Sequence, residues 1–277
     1  MTKNWLITGT SSGLGRLLVE RLLARGDRVA ATVRQAAVLD DLAAQYGERL
    51  RVLTLDVTDA NAVRETVARA FAAMGRIDVV VSNAGYGLFG AAEEVTDEQL
   101  DKQIATNLTG SIQLIRASLP YLRAQGGGRI VQVSSEGGQC VYPGFSLYHA
   151  TKWGIEGFVE AVALEVAPFG IDFIIVEPGP TETSFGSNLV SPEPMPVYDA
   201  TPVGELRRRI GADAFARLGD AGKTVDAMIV ASDAERPARR LTLGSSAYQS
   251  ISKALAVRLA ELEAQKSVAL EADVAES

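Results

Sequence analysis

Short apolar runs rich in β-branched residues alternate along the chain with longer segments in which apolar residues recur every three or four positions. The short runs are typical of strands and the longer segments of helices. The predicted strands are W-L-I-T (5–8), R-V-A-A-T-V (28–33), R-V-L-T-L (51–55), I-D-V-V-V-S (77–82), R-I-V-Q-V-S (129–134), D-F-I-I-V-E (172–177) and R-L-T-L (240–243). The clearest helical stretches are 14–25, 59–73, 98–123 and 149–167. This alternation predicts βαβ units and a parallel sheet with helices on both faces.

The strands at 77–82 and 172–177 are almost entirely apolar, as expected for a sheet that is covered on both sides. We therefore expect one α/β domain over residues 1–277, with about seven parallel strands. Residues 184–217 contain S-P-E-P-M-P-V-Y-D-A-T-P-V-G, which is too rich in proline for a regular helix or strand. Such a segment predicts a substrate lid or a disordered stretch. The acidic, alanine-rich residues 267–277 are expected to fray.

Composition and charge exclude several classes of function. The 277 residues carry a net charge of −7, so no basic field attracts nucleic acid or an anionic membrane. No apolar run approaches the length of a membrane helix, which is about 18 residues. The single cysteine, Cys140, excludes an internal disulfide and fits a reducing compartment. The start, M-T-K-N-W-L-I-T-G, shows no targeting signal, and we expect a cytoplasmic protein.

A glycine-rich turn follows the first predicted strand. The sequence T-G-T-S-S-G-L-G at 8–15 opens a helix, where glycines allow the backbone to approach a pyrophosphate at the positive helix N-terminus. A structural turn can have the same composition, but the strand–helix junction favours a dinucleotide site of the Rossmann type. The cofactor-binding candidates in this turn are Gly9, Ser11, Ser12, Gly13, Leu14 and Gly15.

The end of the second strand indicates which dinucleotide is bound. Arg34 lies 19 residues after Gly15, and no carboxylate occupies the strand end. Arginine suits the 2′-phosphate of NADP, whereas a carboxylate would accept hydrogen bonds from the ribose hydroxyls of NAD. We therefore favour NADP(H), with NAD(H) possible. The alternative is that Arg34 is a solvated loop residue, and Arg16 is a weaker second candidate for the phosphate.

These motifs, together with N-A-G at 83–85 and Y-H-A-T-K at 148–152, make the chain resemble the short-chain dehydrogenase/reductase family over residues 4–183. The resemblance implies cofactor contacts from residues beyond the glycine turn. They are Asp56, Val57, Asn83, Ala84, Gly85, Tyr148, Lys152, Pro178, Gly179, Thr181 and Thr183. Ser82 and Thr151 depart slightly from the family pattern. The resemblance also implies that four residues are catalytic, namely Asn107, Ser135, Tyr148 and Lys152.

The catalytic candidates form a consistent set. Tyr148 and Lys152 are four residues apart, so a helix places both on one face. A nearby ammonium should lower the pKa of the phenol and make it an effective proton donor. Ser135 lies 13 residues before Tyr148, the family interval, and would stabilise charge on a carbonyl oxygen. By resemblance, Asn107 holds a water that links Lys152 to solvent.

These residues predict an NADPH-dependent carbonyl reductase that acts reversibly on ketones or aldehydes. One alternative is an NAD-dependent dehydrogenase of an alcohol, sugar or steroid. An alternative of another class is a non-catalytic NADP-binding regulatory protein, which would not need all four catalytic residues. The family resemblance further implies a homodimer or homotetramer that pairs through the helices at 98–123 and 149–167.

Other candidates have ordinary explanations. Ser134 should face away from Ser135, since side chains alternate along a strand. His149 lies about 100° round the helix from Tyr148 and suggests a packing or surface residue. Cys140, Glu136 and Gln139 follow the active serine and could line the pocket, but no metal site is predicted. Arg207, Arg208 and Arg209 resemble a solvated helix face. In the predicted lid, apolar side chains suggest an apolar substrate of moderate size: Leu189, Val190, Met195, Val197 and Tyr198.

Overall fold

The computed structural model of the chain describes residues 2–211 and 219–274, and its centre is a single seven-stranded sheet. The strands are β1 (Asn4–Ile7), β2 (Arg28–Val33), β3 (Leu50–Thr54), β4 (Val79–Ser82), β5 (Gly128–Val133), β6 (Ile171–Pro178) and β7 (Arg240–Leu243). Their order is β3-β2-β1-β4-β5-β6-β7, and every neighbouring pair is parallel. This is the predicted doubly wound sheet of the Rossmann type. Each predicted strand is present, with ends that differ by at most two residues.

Helices cover both faces of the sheet. They are α1 (Gly13–Arg25), α2 (Asp40–Tyr46), α3 (Ala60–Met74), α4 (Asp97–Ile104), α5 (Gly110–Ala124), α6 (Ser146–Val166), α7 (Pro202–Gly211), α8 (Ala221–Asp233), α9 (Ser245–Ala264) and α10 (Lys266–Glu271). Helices α3, α5 and α6 contribute to one apolar cluster, and α1, α2 and α8 contribute to the other. No helix within the described ranges is both long enough and apolar enough to cross a membrane.

The all-apolar strands are explained by these two clusters. In β1, Leu6 belongs to the cluster under α3, α5 and α6, whereas Trp5 and Ile7 belong to the opposite one. In β4, Val80 faces the first cluster, and its neighbours on either side face the second. Because successive side chains point to opposite faces, a central strand that is covered on both sides must be apolar at every position.

The segment predicted as one helix over 98–123 contains a π-helical turn. Helix α4 ends at Ile104, a π-helical turn runs from Ala105 to Thr109, and α5 begins at Gly110. The predicted helical stretch over 98–123 is therefore confirmed, with a π-helical turn that the apolar pattern did not predict. A π-helical turn carries one extra residue and is often found at functional sites. Here it contains Asn107, one of the predicted catalytic residues.

The predicted lid has more regular structure than its prolines suggest. Residues Pro196–Tyr198 form a 3₁₀ turn, and α7 begins at Pro202. Proline is tolerated at the first helical position because its missing N–H has no partner there in any case. The expectation that 184–217 contains no regular helix is therefore wrong for Pro202–Gly211. Residues 212–218 of this segment lie outside the described residues.

The C-terminal segment is helical over part of its length. Residues Lys266–Glu271 form α10, directly after the long helix α9. The expected fraying of 267–277 therefore stays a prediction, and residues 275–277 lie outside the described ranges. Almost every residue from Leu255 to Val274 is exposed, so this end of the chain packs little against the rest of the molecule.

Candidate active site

The predicted cofactor residues meet at one edge of the sheet. Each group follows the carboxyl end of a strand, because parallel strands all end at the same edge. The groups are 9–15 after β1, Arg34 after β2, Asp56 and Val57 after β3, Asn83–Gly85 after β4, and 178–183 at the end of β6. Ser135 follows β5 at the same edge, and Tyr148 and Lys152 lie on α6 beside it. The sheet therefore brings the predicted cofactor and catalytic residues together.

The glycine-rich turn is packed so closely that side chains would not fit. Gly9 has φ +68°, and a β-carbon on it would lie 2.7 Å from the Cα of Ala84. A β-carbon on Gly15 would overlap with the carbonyl oxygen of Gly9 and with Nδ2 of Asn83. The glycines are therefore required by close approach of the backbone as well as by conformation.

A network of short hydrogen bonds joins this turn to the N-A-G turn. The amide of Asn83 donates from Nδ2 to the carbonyl oxygens of Thr8 and Gly9, both at 2.9 Å. The hydroxyl oxygen of Thr8 accepts from the backbone N–H groups of Asn83 at 3.1 Å and Ala84 at 3.2 Å. The ends of β1 and β4 are thus fixed to each other by main-chain groups and two short side chains.

The N-terminus of α1 has the features of a phosphate site. Its N-cap residue, Ser12, makes no side-chain capping hydrogen bond, and no acidic residue lies in the first turn. Gly13 has φ +57°, and its nearest neighbour would be the side chain of Thr183, 3.7 Å from a β-carbon. The N–H groups of the first helical turn have no intrahelical acceptor, and the helix dipole favours an anion there. The residues present therefore fit a dinucleotide pyrophosphate.

Of the two arginines considered for the adenosine end, Arg34 fits this role better. Arg34 is exposed directly after β2, and its charge contributes to the lowered pKa of Asp56. The larger causes of that lowering are hydrogen bonds from the backbone and hydroxyl of Thr58. Arg16, the weaker candidate, donates to Glu20, Asp41 and the carbonyl oxygen of Val38. Its guanidinium joins α1 to the segment after β2, so it has little capacity left for a phosphate.

The segment after β6 closes the cofactor side of the site. The N–H of Gly179 donates to the carbonyl oxygen of Leu243 at 3.0 Å, which fixes this segment to the end of β7. The hydroxyl of Thr181 donates back to the carbonyl oxygen of Gly179 at 2.9 Å. Thr183 then lies against Gly13, so the segment approaches the phosphate end of α1.

Asn107 is buried, and both ends of its side-chain amide bind the same residue. Its Oδ1 accepts from the N–H of Tyr86 at 3.0 Å, and its Nδ2 donates to the carbonyl oxygen of Tyr86 at 2.8 Å. The π-helical turn thereby holds the loop that follows the N-A-G turn. The water-holding role implied for Asn107 remains a prediction.

Tyr148 and Lys152 lie one turn apart on α6, and both are more than 90% buried. The Nζ of Lys152 lies 5.6 Å from the centroid of the Tyr148 ring and donates to the carbonyl oxygen of Val133 at 3.0 Å. The pair is therefore adjacent, as the four-residue spacing predicts. The bond to Val133 ties the ammonium to the end of β5.

The electrostatics of this pair differ from the sequence-based expectation. Burial raises the pKa of Tyr148 to about 12, hydrogen bonding with Ser135 lowers it in part, and the charge of Glu136 raises it. Burial lowers the pKa of Lys152 to about 8, against the attraction of Glu156. The expected lowering of the Tyr148 pKa by Lys152 is wrong here, because loss of water around the phenol is the larger effect. The phenol is consequently protonated at neutral pH.

Ser135 begins a short 3₁₀ turn, Glu136–Gly138, and lies beside Tyr148. Its Oγ accepts from the N–H of Gly137 at 3.1 Å. The Oγ has a second lone pair and a hydrogen atom of its own, so the hydroxyl can still donate toward a ligand. As expected, Ser134 faces elsewhere, and it donates to the buried carboxylate of Glu156 on α6.

His149 is part of this site, although the sequence pointed to packing or a surface position. It is buried next to Tyr148, and its Nδ1 lies 2.8 Å from the carbonyl oxygen of Gly137. Its Nε2 accepts from the N–H of Tyr142 at 2.9 Å. Sequence spacing gave no signal for these bonds, because both partners are main-chain groups of a loop.

The remaining loop candidates are buried in polar contacts. Cys140 lies 3.2 Å from both the carbonyl oxygen of Glu136 and the hydroxyl of Tyr142, and burial raises the pKa of its thiol. Burial also raises the pKa of Glu136. Gln139 donates to Glu156 rather than pointing into open space.

Aromatic rings surround the open side of Tyr148. Phe145 and Phe185 each lie 6.0 Å from its ring centroid, and Phe89 lies 5.1 Å from Phe145. Phe185 belongs to the predicted lid and is partly exposed. Leu189, also from this segment, packs against Gly87, where a β-carbon would overlap with it.

The lid segment is fixed by a buried ion pair that the sequence did not predict. Arg207 on α7 donates from Nη2 to both carboxylate oxygens of Glu94, at 2.7 and 2.6 Å. The same carboxylate accepts from the N–H groups of Ala91 at 2.6 Å and Met195 at 2.8 Å. The expectation that Arg207 belongs to a solvated helix face is therefore wrong. Its partner lies 113 residues earlier, and nothing local in the sequence marks the pair.

Comparison with known proteins agrees with this geometry. A sequence model described as short chain dehydrogenase matches residues 3–194. Oxidoreductase BOA17 of Botryotinia fuckeliana is 37% identical over 272 residues, which are 98% of this chain and 99% of that protein. This chain belongs to the short chain dehydrogenase family. As a member of that family, it is an NAD(P)-dependent oxidoreductase that acts on CH–OH or C=O groups.

Solved structures of the short chain dehydrogenase family share its fold. A short-chain dehydrogenase from Streptomyces avermitilis has a TM-score of 0.91 and 40% identity, covering 98% of each chain. A short chain dehydrogenase from Burkholderia cenocepacia, crystallised in complex with NADP, has a TM-score of 0.73 and 27% identity. That likeness covers 95% of this chain and 97% of the other.

Proposed function

We propose that this chain is an NADPH-dependent carbonyl reductase that converts ketones or aldehydes to alcohols, reversibly. The observation that carries the proposal is the group of Tyr148, Ser135 and Lys152 at the carboxyl edge of the sheet, in which the tyrosine and the lysine are buried. The phenol is protonated at neutral pH, as its raised pKa requires, and a protonated phenol is the form that can donate to a carbonyl oxygen.

The cofactor assignment is supported by the fit of the residues present. The uncapped N-terminus of α1 would hold the pyrophosphate, and Arg34 would meet the 2′-phosphate of NADPH as a charge-assisted, two-pronged donor. The Burkholderia cenocepacia relative, whose structure contains NADP, supports the same choice. When bound, NADPH supplies the hydride for the reduction. The adenosine side would be bounded by Asp56 and Val57, and the nicotinamide side by 178–183.

The chain's own residues would polarise and protonate the carbonyl group. The hydroxyl of Ser135, held at its oxygen by the N–H of Gly137, donates a hydrogen bond to the carbonyl oxygen. The hydroxyl of Tyr148 gives its proton to that oxygen as negative charge develops there. Tyr148 is buried, so its hydrogen bond acts in a medium of low dielectric constant and is stronger than in water.

Lys152 would support the proton donor and orient the bound cofactor. One of its three N–H donors is used by Val133, which leaves donors for the ribose hydroxyls of the nicotinamide nucleotide. Its ammonium also favours the phenolate that Tyr148 becomes after it has lost its proton. The lysine therefore acts on the product state of the proton transfer, whereas burial sets the resting state.

The substrate class follows from the surroundings of Tyr148. Phe145, Phe185 and Phe89 provide apolar area, while the cation of Arg207 is neutralised by Glu94. We therefore propose an uncharged substrate with an apolar or aromatic body of moderate size. The segment 184–217 would act as the lid over this substrate.

The decisive experiment compares Tyr148→Phe with Tyr121→Phe. Tyr121 stacks on Phe71 on the far side of α5, so its variant controls for the loss of a phenol hydroxyl. We expect Tyr148→Phe to bind NADPH normally but to lose a factor of about 10² to 10⁴ in kcat for a panel of aromatic ketones. NADPH absorbance measures the rate, and fluorescence titration measures cofactor binding.

Two outcomes would contradict the proposal. Ketone reduction by Tyr148→Phe at the wild-type rate would assign the proton donor to another group. A wild-type enzyme that reduced no ketone or aldehyde in the panel, yet oxidised alcohols with NAD, would replace it with the NAD-dependent dehydrogenase.

A further inference from the structure

His149 has two ring nitrogens, and both face main-chain groups of the loop that carries Ser135. Nδ1 lies 2.8 Å from the carbonyl oxygen of Gly137, and Nε2 lies 2.9 Å from the backbone nitrogen of Tyr142. A backbone N–H can only donate, so Nε2 must be an acceptor. A carbonyl oxygen can only accept, so Nδ1 must carry the proton. One neutral tautomer satisfies both bonds.

Gly137 connects this ring to the active serine, because its two main-chain polar groups each contact one of the two residues. Its carbonyl oxygen is bound by His149, and its N–H donates to Oγ of Ser135 at 3.1 Å. The approach is so close that a β-carbon on Gly137 would lie 2.9 Å from Nδ1 of His149 and 3.4 Å from Cε1 of Tyr148. The glycine is therefore enclosed between the two neighbouring rings of α6.

We propose that His149 is a positioning residue for Ser135: its neutral imidazole, protonated on Nδ1, fixes the Gly137 residue whose N–H holds the serine oxygen. The inference rests on the proposed function, since it assigns a purpose to the orientation of Ser135. Because the N–H of Gly137 occupies one lone pair of Oγ, the serine hydrogen is directed away from the loop. Two adjacent residues of α6 therefore position the two hydroxyls of the site: Tyr148 carries one, and His149 orients that of Ser135.

Protonation of His149 would break this arrangement. The cation carries a hydrogen on each nitrogen, so Nε2–H would face the N–H of Tyr142, and two donors cannot bond to each other. The ionisable groups of the loop around it are Glu136, Cys140 and Tyr142. Those on its own helix are Tyr148, Lys152, Glu156, Glu160 and Glu165. Within the described residues no carboxylate forms a salt bridge with the ring. Burial lowers its pKa from the usual 6.5, against the two backbone contacts.

The pH dependence has a definite sign. A histidine whose pKa is lowered by folding stabilises the native state fully above pH 6.5, and this contribution is lost as the pH falls through the folded-state pKa. Ser135 should therefore lose its orientation on the acid side. The expected result is an acid limb in kcat/KM below pH 6.5 that depends on His149.

The first test reads the tautomer directly. His149 is the only histidine in the sequence, so the imidazole nitrogens of the untagged, ¹⁵N-labelled protein give one pair of signals. We expect a neutral ring with the proton on Nδ1 at pH 7. A ring with the proton on Nε2, or a titration with the pKa of a free histidine, would overturn the proposal without bearing on the proposed function.

The second test uses three variants that keep different parts of the ring. His149→Asn retains a donor near the position of Nδ1, His149→Gln retains an acceptor near that of Nε2, and His149→Phe retains only the shape. We expect kcat/KM to follow Asn > Gln > Phe, with the phenylalanine variant reduced about 100-fold, as for a catalytic group displaced by about 1 Å. NADPH affinity should stay within about twofold in all three, since the lost bonds are confined to the serine loop.

A double-mutant cycle with Ser135→Ala separates positioning from general stability. If His149 acts through Ser135, His149→Phe should cost little further activity when the serine hydroxyl is already absent. An equal loss in both backgrounds would overturn the proposal. If Ser135→Ala itself kept wild-type activity, the proposed function would fail instead. The last measurement is the pH profile of kcat/KM for His149→Asn over pH 5–8. We expect the acid limb to disappear in this variant, and an acid limb that persisted would contradict the role of His149 protonation.

Discussion

The cofactor side and the substrate side of this active site are built from different kinds of contact. On the cofactor side, main-chain groups and short side chains meet directly: Asn83 binds the carbonyl oxygens of Thr8 and Gly9, and Gly15 packs against both turns. On the substrate side, the long side chains of Glu94 and Arg207 connect segments more than 100 residues apart. Both sides lie at the same edge of the sheet.

The difference indicates which side can move. A backbone that touches backbone cannot adjust without shifting a strand, so the cofactor side should be rigid. An ion pair can separate, because each partner is stabilised by water once it is exposed, although a buried pair loses several bonds at once. We therefore predict that the segment 184–211, rather than the glycine turn, opens and closes over a substrate. The four predictions that follow test this contrast.

The largest effect is expected from Gly15→Ala. The added β-carbon would overlap with the carbonyl oxygen of Gly9, a main-chain atom, and with Nδ2 of Asn83, which two hydrogen bonds hold in place. We expect NADPH affinity to fall more than about 100-fold, as for misplacement of a bound group by an ångström or more. Fluorescence titration of NADPH measures the change, with circular dichroism to monitor folding.

Gly157→Ala is the matched control. Gly157 is exposed on α6, and among the described residues no atom apart from the neighbouring helix backbone lies within 4 Å of the position that its β-carbon would take. Alanine there should bind NADPH normally and raise the free energy of unfolding by about 0.5–1 kcal/mol, since glycine is a poor helix former. Normal NADPH binding by Gly15→Ala would show that the cofactor side is less rigid than we infer.

Arg34 lies at the exposed edge of the cofactor side, where a substitution should be tolerated better than in the packed glycine turn. In Arg34→Glu, the carboxylate would repel a 2′-phosphate, so kcat/KM with NADPH should fall about 10- to 100-fold relative to NADH. Arg28→Glu, at the other end of β2, carries the same charge change away from the site and serves as control. Equal cofactor preference in Arg34→Glu and wild type would remove Arg34 from the NADPH site.

Glu94→Gln should loosen the substrate side without affecting the cofactor side. The variant replaces a charged partner of Arg207 by a neutral amide, and only one amide oxygen remains for the N–H groups of Ala91 and Met195. We expect a loss of about 1–3 kcal/mol in stability and KM for the ketone raised several-fold. Unchanged NADPH affinity is part of the prediction, which steady-state kinetics and calorimetry can check.

Glu93→Gln controls for a neighbouring carboxylate. Glu93 is exposed and accepts only from the hydroxyl of Tyr198 at 2.7 Å, so its loss should change stability by less than about 1 kcal/mol. If both variants behaved alike, or if Glu94→Gln weakened NADPH binding as much as substrate binding, the two sides would not be independent.

Acid should produce the smallest effect, again confined to the substrate side. Burial would raise the pKa of Glu94, but the N–H groups of Met195 and Ala91 and the charge of Arg207 together lower it below its usual 4.5. A carboxyl with a lowered folded-state pKa stabilises the native state above pH 4.5, and this contribution is lost as the pH falls through the lowered value. Limited proteolysis within 196–211 should increase below pH 4.5 in wild type and change less in Glu94→Gln.

The regular part of the fold was predictable from local patterns. The apolar runs gave seven strands because a central strand that is covered on both faces must be apolar throughout. The pairing of Tyr148 with Lys152 followed from the four-residue spacing on a helix. The π-helical turn around Asn107 was not predictable from periodicity, since one inserted residue barely alters the apolar pattern. Helix α7 was missed because its first residue, Pro202, was read as a helix breaker.

The roles of individual side chains within the site depended more on distant contacts. Arg207 looked like one of three solvated arginines until Glu94 was found beneath it. His149 looked like a packing residue, yet both of its nitrogens bind the serine loop. The substrate-lid assignment of 184–217, the homodimer or homotetramer and the cytoplasmic location remain predictions.

The sequence by itself determined the order of the elements, the glycine turn and the spacing of the catalytic residues, because these depend on periodicities within about twenty neighbouring positions. Only the tertiary structure decided the raised pKa of Tyr148, the tautomer of His149 and the partner of Arg207. Those properties depend on burial and on groups brought in from other strands and loops, and the energy of an ionisable group is set by the solvent it loses and the partners it gains.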